Sequence, residues 1–170
     1  QDQVSIDYAY DDLQRLIGEY SMDPDGTGPL SAPAVRYNYD VAGNLIREEE
    51  RLDQHENLVR SFEYDHLNRL WRTQVGVSEQ INVFDRVGNI VQKLERTSDP
   101  SSKPTYRQTD YAFDALGRMV MDKAPAPGTG EERPTKYYFY DAAGNLQHER
   151  DANGHWQRYD TDDLGRLIRV

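Results

Sequence analysis

Aspartate is the residue whose spacing first invites a chemical reading. Asp11, Asp40, Asp65, Asp85, Asp114, Asp141 and Asp162 recur every 20 to 29 residues, six of the seven with Gly or Asn three residues later. Calcium takes clustered carboxylate and carbonyl oxygens, but a calcium loop gathers its carboxylates in one short segment and closes on a downstream Glu. No DxDxDG segment of that kind is present. One carboxylate per interval reads instead as backbone capping, and no metal is expected at these positions. The four histidines, His55, His66, His148 and His155, form no HxxxH pair that would bring two imidazoles to one face. There is no GxSxG elbow, and the Gly-Thr-Gly at 26–28 lies in DGTGP rather than at a strand-to-helix junction, so no phosphate loop, catalytic residue or cofactor is expected. Trp71 and Trp156 are the candidate ligand-binding residues, because an indole can stack on the apolar face of a sugar ring.

Composition narrows the classes further. The chain has 170 residues, of which 36% are hydrophobic, and its mean hydropathy is -0.92. A conventional globular core would be poorly supplied, so the twelve tyrosines must carry much of the packing while their hydroxyls reach water. A net charge of -10 without a Lys/Arg cluster argues against nucleic acid and against anionic membrane as partners. With no Cys there is neither a disulfide framework nor a thiolate metal site. No apolar run is long enough for a membrane-spanning helix, and QDQVSIDYAYDD does not have the pattern of a signal peptide.

The elements that would position these residues follow from an internal repeat. Seven segments align: YAYDDLQRLI at 8, YNYDVAGNLI at 37, FEYDHLNRLW at 62, NVFDRVGNIV at 82, YAFDALGRMV at 111, YFYDAAGNLQ at 138 and YDTDDLGRLI at 159. Aromatics two apart, such as Tyr37 and Tyr39, share one face of an extended strand. Asp40 then bonds amides within the turn, and Gly43 supplies the positive φ that closes a type I turn with a bulge. Asn68 stands in that position in the third unit, and Gln14 departs from it in the first, where an altered turn or about 1 kcal/mol of strain is expected. Asp114 should therefore matter to its turn, and Asp122, in mid-strand, little. Two successive apolar residues after the turn, such as Leu45-Ile46 and Leu70-Trp71, predict a sheet apolar in part on both faces. The turns alternate: Arg follows the fourth position in units one, three, five and seven, and Asn follows Gly in units two, four and six.

Between Asp turns the chain must turn again, because one strand spanning the interval would far exceed ordinary lengths. GVSE after LWRTQV supplies such a turn, and Asn153-Gly154 gives a two-residue hairpin signal. SMDPDGTGPLSAP, SDPSSKP and KAPAPGTGEERP read as enlarged connectors on the opposite rim. The expected fold is all-β: residues 1–170 form a single array of about seven β-hairpin repeats, some fourteen strands in one curved antiparallel sheet. The segment opens on a strand entering one Asp turn and stops after a strand leaving another, so a fragment of a larger protein is expected. Its edges, near Ser5 to Tyr10 and Leu167 to Val170, should self-associate, the first acidic and the last carrying Arg166 and Arg169.

YNYDVAGNLI, YAFDALGRMV and YFYDAAGNLQ resemble the YD repeat of the Rhs family, which includes bacterial Tc toxin shells, polymorphic toxins and animal teneurins. The resemblance covers nearly the whole chain. It implies a β-sheet shell that encloses or presents a toxin or effector polypeptide, with flanking repeats of a larger secreted or surface bacterial protein as partners. The segment itself would be non-enzymatic. The DPDG at 23–26 is similar to the DPxG element implied in self-release of the C-terminal toxin by Rhs cores, but paired aspartates would be needed and Asp99-Pro100 is followed by Ser-Ser, so a connector turn is the expected role. The alternative function is an extracellular carbohydrate- or receptor-binding module using Trp71 and Trp156.

Overall fold

The computed structural model describes residues 6–21, 34–52, 56–96 and 105–170. These are strands and turns, with no helix among them. Among the described residues thirteen strands follow one another in chain order in one antiparallel sheet, and two more form a separate two-stranded ladder. The expected single meander of about fourteen strands is thus interrupted near its C-terminal end.

The chain divides into two compact units, residues 1–80 and 81–170. The first holds β1 (Ile6–Tyr10), β2 (Leu16–Ser21), β3 (Val35–Tyr39), β4 (Leu45–Arg51), β5 (Asn57–Tyr64) and β6 (Leu70–Val75), and β7 (Ser78–Phe84) begins in it after the turn at Gly76 and Val77. The second holds β8 (Ile90–Arg96), β9 (Tyr106–Phe113), β10 (Met119–Lys123), β11 (Thr135–Tyr140), β12 (Leu146–Arg150), β13 (Trp156–Arg158), β14 (Asp160–Thr161) and β15 (Leu167–Arg169).

The second residue after the turn, apolar in six of the seven units, has a different cause from the one expected. Tyr39 faces Leu45 but Asn38 faces Arg47, so Ile46 is an extra residue in the ladder. The same one-residue shift leaves Ile17, Trp71, Val120, Gln147 and Ile168 without a directly opposed partner. Each is a β-bulge, which admits a second residue opposite one and adds local twist. It does not imply strict alternation across two apolar faces.

Register also sorts the faces within each unit. In the first, Tyr37 lines up with Glu48, Arg60 and Val75, while Tyr39 and Tyr64 lie beside Leu45 and Leu70, giving one face of repeat aromatics. The opposite face is charged: Arg36 opposes Glu49 and Glu63 opposes Arg72. Among the described residues no hydrophobic side chain is buried. Among the described residues of each unit, the aromatics are partly covered by their neighbours along the strands.

Of the three predicted connectors, those at 21–33 and 98–104 fall almost wholly outside the described residues. The third, after β10, is closed by the Ala124 amide donating to the Pro134 carbonyl at 2.9 Å. Arg133 then fastens it to the sheet. Its guanidinium donates to the carbonyls of Ala124, Lys123 and Gln108 and pairs with the Asp110 carboxylate, which also accepts from Gln92 and Gln108.

Candidate functional site

The recurrent aspartates build one turn again and again. The Asp40 amide donates to the Asn44 carbonyl and the Gly43 amide to the Asp40 carbonyl, at 2.9 and 3.1 Å. One carboxylate oxygen of Asp40 accepts the Asn44 amide, and the other accepts the Asn44 side-chain amide. Gly43 sits at φ 91°, and the same left-handed position is taken by Gln14 at φ 61° and Asn68 at φ 58°. The first turn is therefore regular in geometry, and Gln14 carries the strain.

An eighth turn of this kind was missed in the sequence. Asp151 accepts the amides of Asn153 and His155, and Gly154, at φ 88°, donates to the Asp151 carbonyl. Asn153-Gly154 is thus not a two-residue hairpin loop, because the Asp three residues before Gly sets the turn. DANGH matches DAAGN at 141–145 position for position in Asp and Gly, which was the available signal.

The alternation of Arg and Asn now has a cause. In Asn turns the residue after Gly gives its amide to the second Asp oxygen, as at Asn89 and Asn145, at 2.9 and 3.1 Å. In Arg turns the guanidinium forms a fork on that oxygen, as with Arg15 on Asp11, Arg69 on Asp65, and Arg118 on Asp114. All eight aspartates are held below the ordinary carboxylate value. Asp65 falls to about 2, chiefly through the Arg69 side chain. At Asp85 burial works the other way and is outweighed by bonds from Asn89, Gly88 and Val87.

Successive hairpins are tied by the same residues. Arg15 stacks over the Tyr39 ring at 4.8 Å and donates to the Asp40 carbonyl, while the Tyr39 hydroxyl donates back to the Leu16 carbonyl. In the second unit Arg118 stacks over Tyr140 at 4.6 Å, and the Tyr140 hydroxyl donates to the Met119 carbonyl. The first aromatic of a hairpin reaches an acid on the hairpin before it: Tyr37 to Glu19, Tyr138 to Asp122 and Tyr159 to Glu149. Burial and the carboxylates raise Tyr138 to about 12 and lift Tyr37 further still. Asp122 is therefore not the idle strand residue expected. Lys93 occupies the corresponding place on β8, paired with Glu95 at 2.7 Å, and there an open cavity of about 470 Å³ lies against Ile90, Tyr111, Phe113 and Met119.

The two tryptophans have different settings. Trp71 is a half-buried bulge residue. Trp156 is 59% exposed, its ring 5.2 Å from Phe139 and 6.3 Å from His148, with Arg150 at 6.0 Å. His66 is exposed in a turn, His155 lies against Asp151, and His55 falls outside the described residues, as do the aspartates of DPDG and Asp99. Among the described residues no group of three or more His, Asp or Glu could hold a metal ion.

No family model matches the chain. A double-stranded DNA deaminase toxin of Burkholderia cenocepacia (strain H111), toxin A, is 27% identical over 175 residues, covering 95% of this chain and 12% of that protein. Among solved structures, TcdB2-TccC3 without its hypervariable C-terminal region matches 96% of the chain and 9% of its own length, with a TM-score of 0.70 and 16% identity. TcdB2-TccC3-Cdc42 gives a TM-score of 0.67 and 17% identity over 93% of the chain and 9% of that structure. A Photorhabdus luminescens Tc holotoxin pore gives 0.63 and 16% over 95% and 11%. The chain thus spans about a tenth of these proteins. The likeness to the solved structures is one of fold, and the resemblance to Rhs-type YD repeats read in the sequence holds at that level.

Proposed function

We propose that this chain is a non-enzymatic stretch of a β-repeat shell in a larger secreted or surface bacterial toxin, pairing with flanking repeats and enclosing or presenting an effector polypeptide. The observation that carries this reading is a long antiparallel sheet with no buried hydrophobic side chain among its described residues. A wall of one layer gains its stability from strand neighbours and from whatever it surrounds. The single array of seven repeats over residues 1–170 is part of the same reading. Zinc deaminases of nucleobases hold their metal through Cys and His and need a Cys pair. This chain contains no Cys, so a deaminase activity like that in its relative's name would belong to another part of such a protein.

In-frame deletion of residues 1–170 from the full-length protein tests the reading. Protease protection of the enclosed polypeptide should be lost while that polypeptide's own activity, assayed after release, persists. Unchanged protection would remove the shell role. The purified segment should likewise leave double-stranded DNA undeaminated.

One observation favours the carbohydrate-binding alternative, namely the exposed ring of Trp156 beside His148 and Arg150. An aromatic platform with polar edges suits a sugar ring. Trp71, half-buried at its bulge, suits it less. Glycan arrays with the parent chain and a folded Trp156→Ala variant decide this: saturable binding lost in the variant would put the ligand site ahead of the shell.

A further inference from the structure

We infer that the Arg/Asn alternation is a pairing code between successive hairpins, and that the β14–β15 hairpin presents an edge specific for a hairpin of the Asn class. This rests on the reading of the chain as one stretch of a repeat shell and names which class of repeat pairs with β15.

An Arg turn offers its successor three things. The guanidinium covers the second aromatic ring of the next hairpin, as Arg15 covers Tyr39 and Arg118 covers Tyr140. It also reaches the next turn: Arg15 donates to the Asp40 carbonyl, and an Arg118 nitrogen comes within 3.7 Å of where a Cβ on Gly144 would stand. Finally, the first strand residue after the Arg offers its carbonyl to that tyrosine, as Leu16 does to Tyr39 and Met119 to Tyr140. In both cases the accepting turn is of the Asn class. There is a physical reason for that. Two neighbouring Arg turns would set guanidinium groups side by side, whereas the neutral amide of Asn44 or Asn145 satisfies its own Asp without adding charge.

Arg166 has the first half of this arrangement, and the hairpin that would complete it comes after residue 170 in chain order. It forks onto Asp162 at 2.8 Å as the other Arg residues do, but its side chain is 74% exposed, against 29% for Arg15, 25% for Arg69 and 28% for Arg118. Leu167 stands where Leu16 and Met119 stand, and Leu167 and Ile168 are 56% and 66% exposed. The edge therefore takes an extended strand that carries Tyr immediately before an Asp-x-x-Gly-Asn turn. That strand adds through backbone hydrogen bonds to β15 and caps Arg166 with its ring.

The test uses the full chain and two peptides taken from its own sequence: residues 34–51, an Asn-class hairpin, and residues 56–75, an Arg-class hairpin. The first should bind saturably, slow amide exchange at Leu167–Arg169, and lose about tenfold in affinity against an Arg166→Gln chain. Because Arg166→Gln also disturbs its own turn, Tyr39→Leu and Asn44→Arg are made in the peptide, leaving the chain intact, and each should weaken binding comparably. Equal binding of the two peptide classes, protection confined to β1, indifference to Tyr39→Leu, or an edge occupied by a second copy that the first peptide does not displace would each overturn the code. None of these results bears on protease protection in the deletion experiment, so the two readings fail separately.

Discussion

Gln14 holds φ 61° in a turn position that five of the seven aligned hairpins give to Gly and one to Asn. A side chain in that region costs about 1–2 kcal/mol, and Gly gives back part of this through the greater freedom of its unfolded chain. Gln14→Gly should therefore raise the melting temperature modestly. Gly117→Val should lower it, although a Cβ on Gly117 would meet nothing within 4 Å, because the penalty lies in the backbone at φ 75° and not in space. Equal melting temperatures for Gly117→Val and parent would remove the turn assignment. The turn carboxylates give a second residue-scale expectation. Each is lowered in the folded state, so its contribution is fully present above the unfolded carboxylate value and is lost as pH falls through the folded one. Thermal melts should be level from about pH 7 to about pH 5 and then fall with increasing steepness toward about pH 2, where Asp65 also protonates. A melting temperature that held constant into that range would mean the Asp bonds contribute nothing to the fold.

At the scale of the hairpin, Asp114 holds the amides of Leu116 and Arg118 and the Arg118 guanidinium, whereas Asp163 is an exposed loop residue. Asp114→Ala should lower the melting temperature by a few degrees and Asp163→Ala by less than one, with Asp122→Ala between them because it strands the Tyr138 hydroxyl. Chelators should alter none of these values, and a large drop with EDTA would restore calcium at the turns. The hairpins were legible in the sequence because their determinants are local: Asp, the left-handed residue and the paired aromatics all lie within ten residues. The bulges were not, since Leu45-Ile46 alone does not say whether the second residue faces the other side or is inserted. The Arg/Asn alternation was visible as a pattern, but its cause lies in contacts such as Arg15 to Tyr39, 24 positions apart, that only the register of neighbouring strands supplies. Asp151 was passed over because Asn-Gly is the stronger local signal and leads to a shorter loop. The separation of Trp71 from Trp156 as candidate ligand residues depended on exposure, which no spacing in the sequence encodes.

At the scale of the whole molecule, the first and last described strands, β1 and β15, offer different chemistry to a neighbour. β1 carries Tyr8 and Tyr10, 53% and 59% exposed, with Asp7 and Asp12 exposed beside them. β15 carries Leu167 and Ile168, with Arg166 before them and Arg169 at its end. Two copies meeting head to tail would pair backbone edge with backbone edge and acid with base, and such a heterologous contact need not close, so chains or rings form as concentration rises. The hairpin that β1 begins is of the Arg class, however, so Arg166 would approach Arg15 across neighbouring turns, as well as the ring of Tyr10. Self-association should therefore occur but remain weak, and it should be reversed by the 34–51 peptide, which fills the same edge without adding a guanidinium at its turn. Sedimentation velocity across a wide concentration range measures this. The mean mass should climb with concentration, and should fall back when Arg166 and Arg169 are both replaced by Glu or when the peptide is present in excess. A monomer at every concentration, indifferent to those replacements, would mean that the two edges do not recognise each other and that the acidic first strand and the basic last strand are surfaces for other partners.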